Sequence, residues 1–182
     1  MKKKINFRWI IKIVIWSITL SIVFTLASSA ILGNAGYVLA FSALLLFIVL
    51  GIAFDVIGVA VTSAEEKPFH SMASHKERGA VEAIRLIKNA EKVSSFCNDV
   101  VGDISGIISG TTAAVVVERL TQDLSAPNLI LQLAVSGLVA GLTIGGKAMG
   151  KTFAMNKSTD IVLFAAKIIN FASNLFHKSK RG

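Results

Sequence analysis

The sequence predicts an all-α integral membrane protein, with four transmembrane helices and two amphipathic cytoplasmic helices. Three observations predict it. Of 182 residues, 53% are hydrophobic and 16% charged, at a mean hydropathy of +0.67, whereas soluble domains carry about 25% charged residues. Four apolar runs have the length scale of a bilayer crossing, which takes about 20 helical residues. The basic residues gather in alternate connections between those runs.

The first run, Trp9 to Leu32, is apolar apart from Lys12. Tyr37 to Thr62 is interrupted by Asp55, and Cys97 to Val117 carries Asp99 and Asp103. Asn128 to Gly146 is shorter and rich in small residues. Reversals are expected at Gly33-Asn34-Ala35-Gly36 and between Glu118 and Pro127. Lipid offers no water to satisfy backbone amides, so each run reads as a helix rather than an open strand. Trp9 fits an interfacial anchor, and Trp16 a lipid-facing or packing position.

Charge placement sets the orientation. Lys2, Lys3, Lys4 and Arg8 precede the first run, six basic residues from Lys67 to Lys92 separate the second and third, and seven follow from Lys147 to Arg181. The other two connections hold Arg119 alone. The positive-inside rule then puts both termini and the central loop in the cytoplasm of a multi-pass cell-membrane protein. A net charge of +8 would otherwise suggest nucleic acid; charges placed this way point to the bilayer instead, and no nucleic-acid partner is expected. Lys2 to Lys4, the first run and Ala27-Ser28-Ser29-Ala30 also resemble a secretory signal. A signal core has about 7–15 residues, fewer than this run, so an uncleaved anchor is expected.

The cytoplasmic segments are patterned. From Gly79 to Val93, Ala80, Ala83, Ile84, Ile87 and Ala90 recur at helical spacing, with Glu82, Arg85, Lys88 and Glu91 on the other side. From Ser158, an expected N-cap, Ile161, Ala165, Ile168, Ala172 and Leu175 repeat the pattern. Both helices are expected along the inner leaflet or against the ends of the spans. A basic patch binding anionic lipid nonspecifically reads equally well.

Two glycine ladders mark the last two runs: Gly102, Gly106 and Gly110, then Gly137, Gly141 and Gly145. Small residues spaced by four let helix backbones approach closely in lipid. Packing of the third span on the fourth is expected, and a homodimer through the same device stays open.

The ionisable residues inside the runs carry the functional question. Asp55, Asp99 and Asp103 fall toward the cytoplasmic ends of their spans, and Lys147 closes the fourth. An acidic side chain at a helix centre costs about 2.5–3.5 kcal/mol on insertion scales, so it seeks a partner, an ion or water. Two readings follow. Asp55, Asp99 and Asp103, helped by Asn98 and Ser94 or Ser95, offer oxygens to a hard divalent cation such as Mg2+. Alternatively, Lys147 neutralises an aspartate as a buried ion pair that organises packing and transports nothing.

The order of these features resembles the membrane domain of the CNNM/CorB family of magnesium and cobalt transport proteins. The matching stretches are Asp55-Val56-Ile57-Gly58-Val59-Ala60-Val61-Thr62-Ser63, Arg78-Gly79-Ala80-Val81-Glu82-Ala83-Ile84-Arg85-Leu86-Ile87, Asn98-Asp99-Val100-Val101-Gly102-Asp103, and Gly146-Lys147-Ala148-Met149-Gly150-Lys151-Thr152-Phe153-Ala154. The resemblance covers roughly Leu44 to the C-terminus and leaves the first span, Trp9 to Leu32, as an addition to a three-span family core, so that residues 1–36 are expected to be an anchor helix and turn. A CorB-like membrane domain follows at 37–182, with a cytoplasmic helical pair at 63–96 and a C-terminal amphipathic helix at 151–182. It implies a transporter or efflux protein for Mg2+ or Co2+, bound at Asp55, Asp99 and Asp103 with Asn98 assisting. Lys147 stands where the family has an acidic residue, and Gly150 where it has proline. Lys147 is therefore expected to be a counter-charge, displaced by the cation or permanently paired. The alternative is a non-transporting membrane scaffold or regulator in which the Asp–Lys pair replaces the ion.

Other chemistry finds little support. His70, His75 and His177 are dispersed, and the first two are expected in a solvated loop without a third metal ligand. Cys97, the single cysteine, excludes an internal disulfide framework; it reads as a small hydrophobe or a boundary acylation site. No phosphate loop and no nucleophile–base constellation is present, so no enzyme activity is expected. No cofactor is expected beyond Mg2+ as a bound or carried ion.

Overall fold

A computed structural model describes residues 7–32, 36–124 and 128–179. Among these residues the chain is helical and contains no strand. The elements are α1 (Phe7–Leu32), α2 (Tyr37–Ser63), α3 (Lys67–Ser74), α4 (Ala80–Lys88) and α5 (Ala90–Ser95). A π-helical segment (Phe96–Gly102), α6 (Asp103–Leu124), α7 (Asn128–Asn156) and α8 (Ser158–Ser179) complete the order. Four stretches are long and apolar enough to cross a membrane: Phe7–Ser28, Val38–Ser63, Ala90–Asp123 and Leu129–Asn156. All four apolar runs are thus helical, with some bounds moved.

Residues Glu118 to Leu124, expected in a reversal, continue α6. They include no glycine or proline, and Glu, Arg, Leu and Gln are good helix formers. Gly33, Asn34 and Ala35 of the other expected reversal lie outside the described residues. The Gly36 carbonyl accepts from the N–H groups of Leu39 and Ala40, each at 3.1 Å, and starts α2. α7 runs through Asn156 rather than ending at Gly146.

The chain divides into two compact units, residues 1–52 with 98–146 and residues 53–97 with 147–182. In the first, α1 packs on α6, where the buried hydroxyls of Ser28 and Thr112 meet at 3.4 Å. The Phe24 ring stands edge-on to Phe47 at 6.3 Å. Ala40 packs on Val116, while Leu44 and Ile48 of α2 pack around Ala113 of α6. A Cβ at Gly51 would stand 3.2 Å from that of Ser105, so the missing side chain lets α2 and α6 approach closely. Large apolar residues of α1 such as Ile15, Ile18 and Leu26 remain exposed.

The second unit has its own core of Ala60, Val61, Phe69, Ala83, Ala154, Val162 and Ala166. Phe69, fully buried, comes from α3. This helix opens with Pro68 in its first turn, where a missing N–H costs no helical hydrogen bond. His70 therefore sits on a helix and His75 at its end, not in a loop. The predicted helix from Gly79 to Val93 is two helices broken at Asn89, whose amide Nδ2 donates to the Arg85 carbonyl at 2.9 Å. Its carbonyl accepts from Lys92 and Val93 to begin α5.

α4 lies on α8. Gly79 precedes α4 at φ +86°, and a Cβ there would come within 3.0 Å of the Lys167 backbone nitrogen. Asn170 Nδ2 donates to Glu82 Oε1 at 3.0 Å, and Lys167 Nζ to Glu77 Oε1 at 3.4 Å. α8 buries Val162, Ala165 and Ala166 but leaves Ile168 exposed. The predicted stripe through Ile161, Ala165 and Ile168 is therefore rotated, because the alanines admit the neighbouring helix. Ser158 is the first residue of α8 rather than its cap. The Lys157 carbonyl accepts the Ile161 N–H at 3.1 Å, which gives Lys157 the cap position.

Candidate functional site

Asp55 of α2 and Lys147 of α7 face each other within the second unit. Asp55 is 7% exposed. Lys147 Nζ stands 3.9 Å from Asp55 Oδ1, well beyond the roughly 2.7–2.9 Å of a charge-assisted hydrogen bond. Asp55 Oδ2 is buried and receives no hydrogen bond. The pair is electrostatic, and one carboxylate oxygen keeps its lone pairs open. In a low-dielectric setting such an oxygen is costly. It is also a ready ligand for a hard cation, which takes oxygen donors.

The remaining predicted ligands lie on the third apolar stretch. Asn98 and Asp99 belong to the π-helical segment and Asp103 opens α6. Asn98 is half-buried, and Asp99 and Asp103 are exposed. π turns inside α-helices recur at functional sites because their i→i+5 pattern displaces side chains. This segment is not legible in the sequence, since no residue pattern in Phe96–Gly102 distinguishes it from α-helix. Asn98, Asp99 and Asp103 fall in the first unit, whereas Asp55 and Lys147 fall in the second. Among the described residues, no three His, Cys, Asp or Glu side chains gather closely enough to hold a metal ion.

The glycines divide. Gly102 is buried, and its carbonyl oxygen would lie 3.7 Å from a Cβ at Gly51. Gly106, Gly110, Gly137, Gly141 and Gly145 have open space where a Cβ would stand, so close backbone approach between the two ladders is not found. Gly106 and Gly110 instead line a cleft of about 260 Å³ with Ser109, Ser136, Ala140 and Thr143. Ser109 Oγ donates to the Gly106 carbonyl at 2.9 Å and Thr143 Oγ1 to the Val139 carbonyl at 2.7 Å. These hydroxyls are spent on their own helices. A larger cavity, about 410 Å³, is walled by Phe41, Leu44, Ile48, Leu138 and Leu142 and is apolar.

Glu66, outside the long apolar stretches, accepts from His70 Nε2 at 2.9 Å and faces Lys88 Nζ at 3.4 Å. The His70 hydrogen bond, followed by the charge of Lys88, holds its carboxyl below the usual range. This cluster ties α3 to α4. Cys97 is a free, buried thiol. Compared with known proteins, the chain matches no family model, no curated protein and no solved structure.

Proposed function

We propose that the chain is a multi-pass membrane protein, CorB-like in its membrane domain, that carries or exports a hard divalent cation, Mg2+ or Co2+. The four long apolar helices cross the bilayer, with both termini and the Lys67–Lys92 connection in the cytoplasm, as the distribution of basic residues requires. The observation that carries the reading is the buried Asp55 carboxylate, whose Oδ2 has no hydrogen-bond partner while Lys147 stands 3.9 Å from Oδ1. A purely structural pair here must offset the desolvation of the buried carboxylate, which takes good geometry and further hydrogen bonds. This pair has neither. A cation displacing the Lys147 ammonium would occupy the open oxygen, and Lys147 would return when the ion leaves. The reading rests on Asp55 and Lys147 alone.

The test is metal tolerance in cells expressing the protein. Asp55→Asn should abolish any change in Mg2+ or Co2+ tolerance that the native chain confers, at unchanged membrane abundance. Equal tolerance with and without the substitution removes the transport reading.

A second reading, a non-transporting membrane scaffold with a fixed Asp55–Lys147 pair, is favoured by Lys147 already facing the carboxylate, with no three His, Cys, Asp or Glu side chains gathered around a common point among the described residues. Lys147→Glu separates the two. A transport site should tolerate it and bind cation more tightly, whereas a scaffold should lose expression because two buried carboxylates then repel.

A further inference from the structure

We infer that the outer face of α8 is a docking face for the anionic inner surface of the bilayer. α8 has two apolar faces. Val162, Ala165 and Ala166 are buried in the second unit. At about 100° per residue, Phe164, Ile168 and Phe171 project from the opposite side, and they are 65%, 53% and 68% exposed. Aromatic and branched side chains at i, i+4 and i+7 form a stripe that a helix in water would not keep bare.

Two observations identify what covers it. α8 follows α7 after Lys157 alone, so its start is held at the end of a helix that crosses the membrane in the reading above. Met149 and Phe153, exposed and one turn apart on α7, lie on one helical face next to that junction. The lipid phase that covers α7 is therefore the apolar phase nearest to α8. Charge selects the leaflet chemistry: residues 148–182 contain six basic residues and one acidic, Asp160, and of these Lys157 faces Asp160 and Lys167 faces Glu77. Helices with an apolar stripe in a segment of net positive charge bind interfaces through apolar burial plus attraction to anionic headgroups. A second copy of the chain would cover the stripe without requiring that charge bias.

The inference rests on the membrane reading of the long helices, and the test separates the two. In a Cys97→Ala background, single cysteines replace Leu142, Ile168, Phe171 or Ser173 and carry an environment-sensitive fluorophore. Full-length protein is reconstituted in vesicles of phosphatidylcholine, with or without phosphatidylglycerol, and challenged with a water-soluble quencher. The expected result is loss of quenching at positions 168 and 171 in the anionic vesicles, partial loss in neutral ones, and full quenching at position 173. Equal quenching at 168, 171 and 173, with 142 protected, overturns the docking face alone. Quenching at 142 as well overturns the spanning helices. Equal protection in both lipids overturns the anionic assignment, and protection that vanishes on diluting the protein shows that another copy covers the stripe.

Discussion

The Lys147 ammonium faces Asp55 Oδ1 at 3.9 Å, while the second oxygen of the same buried carboxylate has no hydrogen-bond partner. Two charges are thus placed together without being fully satisfied. Removing Lys147 leaves a desolvated carboxylate, removing Asp55 leaves an ammonium whose side chain is 27% exposed, and removing both leaves only a change of shape. Lys147→Gln should lower the thermal stability of the solubilised protein, by less than the roughly 3–5 kcal/mol lost when a fully buried pair is broken, and Asp55→Asn by less again. The double substitution should recover most of that loss. Additive losses in a thermal-shift measurement would show that the two residues act separately.

Gly79 should be the glycine least tolerant of substitution. Its φ of +86° and the approach of the Lys167 backbone nitrogen to 3.0 Å of a built Cβ leave no room for alanine. Left-handed backbone alone costs an L-residue about 1–2 kcal/mol, so Gly79→Ala should expose α4 and α8 to proteolysis. Gly106→Ala and Gly141→Ala, with open space around them, should leave the monomer unchanged. Limited proteolysis compares the three directly.

The Ser28–Thr112 contact joins α1 to α6 at 3.4 Å. Side-chain hydrogen bonds between membrane helices average about 0.6 kcal/mol, so Ser28→Ala should shift stability only slightly. A double-mutant cycle with Thr112→Val should return a coupling of that size. A much larger coupling would mean that the hydroxyls do more than bond each other.

Acid should loosen α3 from α4. The Glu66 carboxyl is held below its usual range first by the His70 hydrogen bond and then by Lys88. A depressed carboxylate pKa gives stability that is present above the unfolded value and lost as pH falls through the folded one. Hydrogen exchange of Lys67–Ser74 should therefore rise as pH drops through the acidic carboxylate range, after correction for intrinsic exchange. Glu66→Gln should abolish that pH response.

Much of this fold was legible because lipid-length helices leave an unambiguous record: apolar runs wherever α1, α2, α6 and α7 are found. The buried faces of α4 were legible for the same reason, through Ala80 and Ala83. α3 was not, because eight residues carry too short a pattern, and its ties to the core are Phe69 and the half-buried Met72. The π-helical segment escaped because its wider turn uses ordinary residues. The stripe of α8 was rotated because burial there follows the small Val162, Ala165 and Ala166, not the larger Ile168. The glycine ladders misled in a different way. Spacing by four says that a close approach is permitted, and the approach is instead found at Gly51. A pair between Lys147 and one of the three aspartates was one of two readings of the sequence, but that the aspartate is Asp55, and that the geometry is loose, required coordinates.

The most direct test of the central claim is calorimetric titration of Mg2+ and Co2+ into the purified full-length protein, alongside Asp55→Asn and Lys147→Gln. Saturable binding by the native chain, tighter in Lys147→Gln and absent in Asp55→Asn, is the predicted result. Binding that survives Asp55→Asn unchanged, or no binding by the native and Lys147→Gln proteins, would contradict the claim.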